Sequence, residues 1–208
     1  MNSHLAFVAV VAVLSAAPTA AADFLTGMEA LRRGDFEAAL AELEPLAEQG
    51  HAEAQYQLGI LYASGDGVDV SLTQAVEYYR AAAEQGLPEA QNALAFMYRV
   101  GNGVPQDAEQ AVRWYRLAAE GGVGQAQYNL AGLYGAGKGV EQDYVQAYKW
   151  YSLAAMHGQD EARKALFYCA DLLTEAQIRE AQRLAAEWQP SPSGPVASAT
   201  TADTTADR

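Results

Sequence analysis

The amino-acid sequence repeats with a period of 36 residues, and the units align without a gap, as at Leu58, Leu94 and Leu130. A period of this length is typical of folds in which one supersecondary unit is stacked several times. A single unit cannot bury its own apolar face, so neighbouring units share a continuous core. Other positions that keep the same step are Gln55, Gln91 and Gln127; Tyr62, Tyr98 and Tyr134; Tyr79, Tyr115 and Tyr151; and Gly86, Gly122 and Gly158.

Each unit has the pattern of two helices. In the first unit, Leu58, Leu61 and Tyr62 recur at helical spacing on one face,. Alanines and a tyrosine do the same in the second half, where small side chains allow close helix packing. The glycines that end each half predict left-handed backbone at the helix ends and in the connecting loops. A capping box is predicted at the start of each second helix by the pairs Ser71 with Gln74, Asp107 with Gln110 and Asp143 with Gln146,.

These motifs resemble a known repeat family. The segments AEAQYQLGILYASGDGV at 52–68 and AVRWYRLAAEGG at 111–122 are similar to the Sel-one-like repeat (SLR), a subfamily of tetratricopeptide-like repeats. The resemblance implies an all-α fold, a right-handed α/α superhelical solenoid of helix-turn-helix repeats. It covers residues 52–166 and comes from many positions in register.

The resemblance and the composition together predict seven segments. Residues 23–51 resemble an ordinary tetratricopeptide hairpin, since they lack the glycine insertion of the later loops, and they would cap the N-terminal end. Residues 189–208 are rich in Pro, Ser, Thr and Ala and predict a disordered tail,. The segments are a signal peptide at 1–22, the capping hairpin at 23–51, repeats at 52–87, 88–123 and 124–159, a partial repeat with a closing helix at 160–188, and the tail at 189–208.

The N-terminus predicts export. Residues 5–17 form an almost unbroken apolar run, followed by Ala20, Ala21 and Ala22 in the pattern of a signal-peptidase site,. Cleavage after Ala22 would leave Asp23 as the first residue of a periplasmic or secreted protein, with no integral membrane span. No Lys or Arg precedes the apolar run, so a retained anchor or a buried helix remain as alternatives.

Charge restricts the class of partner. The chain has 13 basic and 26 acidic residues, a formal net charge of -13. An acidic surface repels nucleic-acid phosphates, which excludes nucleic acid as a partner. On net charge alone, a basic protein surface is the more plausible partner.

Chemistry-bearing motifs are sparse in the sequence. His51 and His157 stand at non-equivalent positions and belong to no metal-ligand pattern,. The chain has a single cysteine, Cys169, which cannot form an internal disulfide and is expected to be a small buried hydrophobe,. No G-x-S-x-G motif occurs. We therefore expect no enzyme activity, no metal and no cofactor.

By resemblance to tetratricopeptide arrays, the first helix of each unit lines a concave groove. The positions on its exposed face differ from unit to unit, whereas the core positions repeat, which fits a surface shaped by a partner. Aromatic residues and arginine at such positions are typical of interface hot spots. The predicted partner-binding residues are Glu53, Tyr56 and Ile60; Glu89, Asn92, Phe96 and Arg99; Tyr128; and Lys164 and Tyr168, accompanied by Ala63, Gln125, Gly132 and Glu161.

The resemblance implies a non-catalytic scaffold or adaptor of the bacterial cell envelope that binds a protein or peptide in this aromatic groove. The alternative is a periplasmic binder of peptidoglycan or exopolysaccharide, with aromatic rings stacking on sugars. A third possibility is a β-lactamase-like hydrolase, because a disulfide-rich branch of the family is linked to penicillin binding. The repeats of this chain carry no cysteine pairs and no S-x-x-K or K-T-G motif, which places that activity last.

Overall fold

The computed structural model describes residues 20–191, with side chains from residue 23 onward. Over that range the chain forms ten α-helices and no strand, so the all-α helical repeat solenoid is confirmed. Most of the expected signal peptide and most of the expected tail lie outside the described residues, and α1 begins at Ala20, within the last three residues of the expected signal peptide. The helices are α1 (Ala20–Arg33), α2 (Phe36–Glu48), α3 (Ala52–Ser64), α4 (Leu72–Glu84), α5 (Pro88–Val100), α6 (Ala108–Glu120), α7 (Gly124–Ala136), α8 (Tyr144–Met156), α9 (Asp160–Ala170) and α10 (Glu175–Ala186).

Consecutive helices pack in pairs, α1 with α2, α3 with α4, α5 with α6 and α7 with α8, and each pair packs on the next. The core therefore runs through the stack of hairpins and is not confined to one of them. Ala82, Ala83, Ala118 and Ala119 are fully buried, which lets the second helices approach their neighbours closely. Tyr115 is also fully buried and is one of the largest side chains in the core.

A buried glutamine links each of the three repeat units to the hairpin before it. The side-chain amides of Gln55, Gln91 and Gln127 donate to the backbone carbonyls of Ala47, Ala83 and Ala119, at 3.0, 3.2 and 3.0 Å. These carbonyls belong to the last turns of the preceding second helices, and each also accepts from the backbone amide of the glycine that follows the helix. The repeated Gln is therefore an inter-unit contact, which explains why a polar residue recurs among core positions.

The second helices begin with a side-chain cap, but the predicted capping boxes are only half formed. The side chains of Ser71, Asp107 and Asp143 each accept from the backbone N–H three residues later. Gln74 does not reach back and instead donates to Glu77 at 2.8 Å. Over residues 20–191 the reciprocal contact is complete only at α10, so the prediction of a full box at the three repeats was wrong.

The paired loop glycines have two functions, of which the sequence predicts one. Gly103 and Gly139 have φ of 69° in both cases, as the pattern indicates. Their Cα atoms also lie against the first turn of the preceding second helix, where a Cβ would overlap the backbone of Leu72 or Ala108. The glycines are thus required for close stacking of successive units as well as for the turn.

The C-terminal helices do not form another hairpin of the repeat type. Helix α9 packs on α8, and α10 also packs chiefly on α8, where Ala185 joins the core. The amide of Ser191 donates to the carbonyl of Glu120 at 2.8 Å. Ser191, in the predicted tail, therefore lies against the end of α6.

Candidate binding groove

Two adjoining cavities lie on the face formed by the first helices α3, α5 and α7. The larger one, here called the Phe96 cavity, has a volume of about 500 Å³. The second, here called the Tyr128 cavity, has a volume of about 390 Å³. Both are bordered by Arg99 and Asn129, so a single extended ligand could occupy the two together. The Phe96 cavity is lined by Ala63, Leu72, Tyr79, Asn92, Ala93, Phe96, Met97, Arg99, Asn102, Gln125 and Asn129; the Tyr128 cavity is lined by Arg99, Gln106, Ala108, Tyr128, Asn129, Gly132, Leu133, Ala136, Lys138 and Tyr151.

The Phe96 cavity combines an exposed ring with an amide that has no partner. Phe96 lines the cavity and is 43% exposed, and it belongs to neither hydrophobic core cluster of the described residues. The Oδ1 atom of Asn92 is buried and makes no hydrogen bond. A buried acceptor without a donor is unfavourable by about 1–3 kcal/mol, so the site favours a ligand that supplies an N–H or O–H.

A glycine forms part of the wall of the Tyr128 cavity. Gly132 occupies the position that Ile60 and Phe96 hold in the other units, and a Cβ there would lie 3.5 Å from the Tyr151 hydroxyl. The rings of Tyr128 and Tyr151 are tilted against each other, with centroids 5.6 Å apart. Burial, followed by the neighbouring Tyr128 and Cys169, raises the pKa of Tyr151 to about 12. Its hydroxyl is therefore protonated at neutral pH and can donate a hydrogen bond into the cavity.

Arg99 separates the two cavities and is held in place by two contacts. Its Nε donates to the Tyr115 hydroxyl at 3.3 Å, and its guanidinium lies 5.0 Å from the centroid of the Phe96 ring. Burial raises the pKa of Tyr115, while Arg99 acts in the opposite direction. The terminal nitrogens of Arg99 make no hydrogen bond or ion pair within the described chain, so they can donate to a ligand.

The structure brings together four of the ten predicted groove residues, and of the four residues predicted to accompany them, Ala63, Gln125 and Gly132 also line a cavity whereas Glu161 does not. Asn92, Phe96 and Arg99 line the first cavity, and Arg99 with Tyr128 lines the second. The remaining six of the ten line neither cavity. Tyr56 packs on Tyr79, and Ile60 packs on the core. The other four are exposed: Glu53, Glu89, Lys164 and Tyr168.

Several lining residues are not among those predicted from the sequence, including the polar residues Asn129 and Lys138. Asn129 corresponds to Gln57 and Ala93 in the other units, and Lys138 corresponds to Asp66 and Asn102. Both positions vary between units, which is the property that identified the other groove residues. Asn129 lies one residue before the repeated leucine and Lys138 lies in a loop, so neither is on the helix face that the resemblance to tetratricopeptide arrays indicates.

Comparison with known proteins agrees with the repeat pattern. The family model described as Sel1 repeat matches residues 52–87, 88–123 and 124–159, the same bounds as the three 36-residue units. The chain belongs to the Sel1 repeat family. No curated protein matches it.

Two solved structures are similar to the Sel1 repeat chain. One is c5321, a protective antigen present in uropathogenic Escherichia coli strains and displaying an SLR fold, with 36% identity and a TM-score of 0.71 over 81% of this chain. The other is a Sel1 repeat protein from Oxalobacter formigenes, with 31% identity and a TM-score of 0.69 over 77% of this chain. The matches span 38% and 67% of those two chains.

Sel1 repeat proteins generally mediate protein–protein interactions, and the SLR fold is typically a non-catalytic scaffold. Among residues 20–191, no helix is long and apolar enough to cross a membrane. The same part of the chain holds no cluster of three or more His, Cys, Asp or Glu suited to a metal ion.

Proposed function

We propose that this protein is a non-catalytic scaffold or adaptor of the bacterial cell envelope, and that it binds a segment of another protein across the Phe96 and Tyr128 cavities. The observation that carries the proposal is the unpartnered Oδ1 of Asn92 in a cavity that also exposes an aromatic ring. Ring and amide together match the two parts of a peptide, its side chains and its backbone.

The amides of the groove support an extended peptide as the ligand. Asn92 and Asn129 each offer one acceptor and two donors, and neither makes a hydrogen bond within the described chain,. An extended backbone presents N–H and C=O groups at about 3.3 Å per residue, which such amides can pair with. Phe96 and Tyr128 would then bury alternate side chains, as aromatic residues do at interface hot spots.

The proposed location in the envelope is supported by the N-terminal sequence, where the apolar run at 5–17 precedes three alanines,. Terminal sequencing of the protein isolated from its own cells tests this part separately. A mature chain that begins at Asp23 supports export, whereas recovery of the intact N-terminus from the cytoplasm refutes it.

Site-directed photocrosslinking tests the groove. A photoreactive phenylalanine analogue replaces Phe96 in one variant and Phe167 in another, in the full chain expressed in its own cells. Phe167 is a matched control, since it is an exposed aromatic residue on α9, outside both cavities. We expect a discrete crosslinked envelope protein from position 96 and none from position 167; the reverse pattern would move the binding surface to the end of the solenoid.

A second experiment separates protein from glycan ligands. Phe96→Ala should abolish recovery of the crosslinked partner through position 128 while the melting temperature stays near that of the unmodified protein. Retention of the protein on purified peptidoglycan, lost in Phe96→Ala, would instead identify a glycan as the ligand.

A further inference from the structure

The two cavities are positively charged, although the protein as a whole is acidic. Arg99 borders both cavities and Lys138 borders the Tyr128 cavity, while no Asp or Glu lines either one. The chain carries twice as many acidic as basic residues, 26 against 13. The charge of the cavity lining is therefore opposite in sign to the net charge of the protein.

These two cations also have no acidic partner. In the described chain, the arginine ion pairs are made by Arg32, Arg163, Arg179 and Arg183 with carboxylates three or four residues away. Those pairs are exposed and lie on α1, α9 and α10, away from the cavities. Lys138 is exposed in the loop between α7 and α8 and forms no ion pair within residues 20–191.

Two other arginines of the repeats use a different guanidinium nitrogen for their tyrosine contact than Arg99 does. Arg80 and Arg116 lie on second helices and donate to the hydroxyls of Tyr98 and Tyr134 through a terminal nitrogen. Arg99 instead uses its Nε for Tyr115 and leaves the terminal nitrogens free. Those nitrogens form the side of the guanidinium that binds a carboxylate through two parallel hydrogen bonds.

The acidic residues of the first helices are too distant to neutralise the site. Glu53 and Glu89 stand in the first turns of α3 and α5, whereas Arg99 stands in the last turn of α5. Ten residues of helix separate Glu89 from Arg99 by about 15 Å. This exceeds the screening length of about 8 Å at physiological ionic strength, so Glu89 does not neutralise Arg99. The backbone of Glu109 lies closer, against the loop that carries Lys138, but within residues 20–191 no carboxylate forms an ion pair with either cation.

From this charge pattern we infer that the bound segment is acidic and places a carboxylate between Arg99 and Lys138, with a neighbouring apolar side chain in the Phe96 cavity. This inference rests on the proposed function and adds the chemistry of the partner. It is opposite to the basic partner that net charge alone predicts. The carboxylate could be a side chain or a chain terminus, which share the same recognition.

A peptide library tests the inference. Random octapeptides on beads, with acidic and basic residues in equal number, are incubated with the fluorescently labelled full chain. We expect the brightest beads to carry Asp or Glu, or a free C-terminus, beside an aromatic or aliphatic residue. Resynthesis of each selected peptide with Asp→Asn, Glu→Gln or an amidated C-terminus then distinguishes the two sources of the carboxylate.

Substitutions of the two cations test whether they contact the carboxylate of the bound peptide. Lys138→Gln and Arg99→Gln should each weaken binding of the selected acidic peptide about tenfold or more, and raising salt from about 50 to about 500 mM should weaken it further. Arg179→Gln, an exposed cation on α10, is the control and should leave affinity unchanged. Lys138→Gln removes only an exposed loop side chain, so its effect cannot be attributed to misfolding.

The possible failures are distinguishable. Selection of basic or neutral peptides whose binding still requires Phe96 would overturn the acidic ligand and leave the groove as a peptide site. Binding of acidic peptides that is unchanged in both Lys138→Gln and Arg99→Gln would also overturn it. Selection of no peptide, with the protein folded, would refute the proposed function and this inference together.

Discussion

Gly103 lies so close to the first turn of α4 that a Cβ at this position would overlap the backbone carbonyl of Leu72 in the preceding unit. We expect Gly103→Ala to lower the free energy of unfolding by about 3 kcal/mol or more, because a positive φ and overlap with backbone atoms both disfavour a side chain. Urea denaturation followed by circular dichroism measures the change.

Gly34 provides the matched control for this prediction. Its φ is 74°, similar to the 69° of Gly103, but a Cβ at Gly34 would meet no atom within 4 Å. Gly34→Ala should therefore lower the free energy of unfolding by only about 1 kcal/mol. Equal losses for the two variants would show that the backbone angle alone accounts for the paired glycines.

Most of the fold follows from the sequence because the repeat imposes one packing geometry on every unit. The positions of Leu58, Leu94 and Leu130 predict the first helices, and the glycines predict where each helix ends. The close approach of Gly103 to Leu72 is a relationship between units, which one unit's pattern does not contain. The path of α10 onto α8 could not be predicted either, because it depends on contacts outside the repeat.

The buried glutamine at the unit boundary leads to a second prediction. Gln127 is fully buried, donates to the carbonyl of Ala119 at 3.0 Å and accepts from Nδ1 of His157 at 2.7 Å. Gln127→Met keeps the side-chain length but leaves the imidazole nitrogen without its acceptor, and the Ala119 carbonyl retains only backbone donation, from the Gly122 amide. We expect a loss of about 1–3 kcal/mol in the free energy of unfolding, measured by urea denaturation.

The exposed Gln49 is the control, since its amide donates to the carbonyl of Pro45 at 2.9 Å in contact with solvent. Gln49→Met should change stability by less than about 0.5 kcal/mol, because water replaces the lost contact. If Gln127→Met were as mild, the hydrogen bond would contribute nothing to the attachment of α7 to α6.

The half-formed capping boxes lead to a third prediction. At α10 the Gln177 side chain accepts from the amide of Thr174 at 2.9 Å, whereas the Gln110 side chain makes no such contact with Asp107. Gln177→Ala should lower the melting temperature measurably, by the equivalent of about 0.5–1 kcal/mol. Gln110→Ala should have no effect on this scale; similar losses would mean that the box forms at α6 in solution.

The binding site was only partly predictable, because the repeat pattern identifies which positions vary but not which of them face a cavity. Phe96 and Tyr128 were found by their variation between units. Tyr56, at the same register position, packs on Tyr79 at 5.9 Å much as Tyr128 packs on Tyr151 at 5.6 Å, yet Tyr56 lines neither cavity. The difference depends on the neighbouring side chains, such as the glycine at 132 in place of Ile60, and it emerges only when the units are packed.

Alkaline pH should weaken the fold through Tyr79. Burial, followed by the neighbouring Tyr56, raises the pKa of Tyr79 from 10.0 to about 12. A group whose pKa is higher in the folded state contributes stability that is complete below pH 10 and is lost as pH rises to about 12. The free energy of unfolding should therefore fall over this range, with a slope of at most about 1.4 kcal/mol per pH unit from this group. The variant Tyr79→Phe keeps the ring and removes the ionisable hydroxyl. The free energy of unfolding of this variant should therefore fall less steeply between pH 10 and 12 than that of the unmodified protein, in urea titrations at fixed ionic strength. Parallel pH profiles for the two proteins would show that Tyr79 ionises as readily in the folded chain as in the unfolded one.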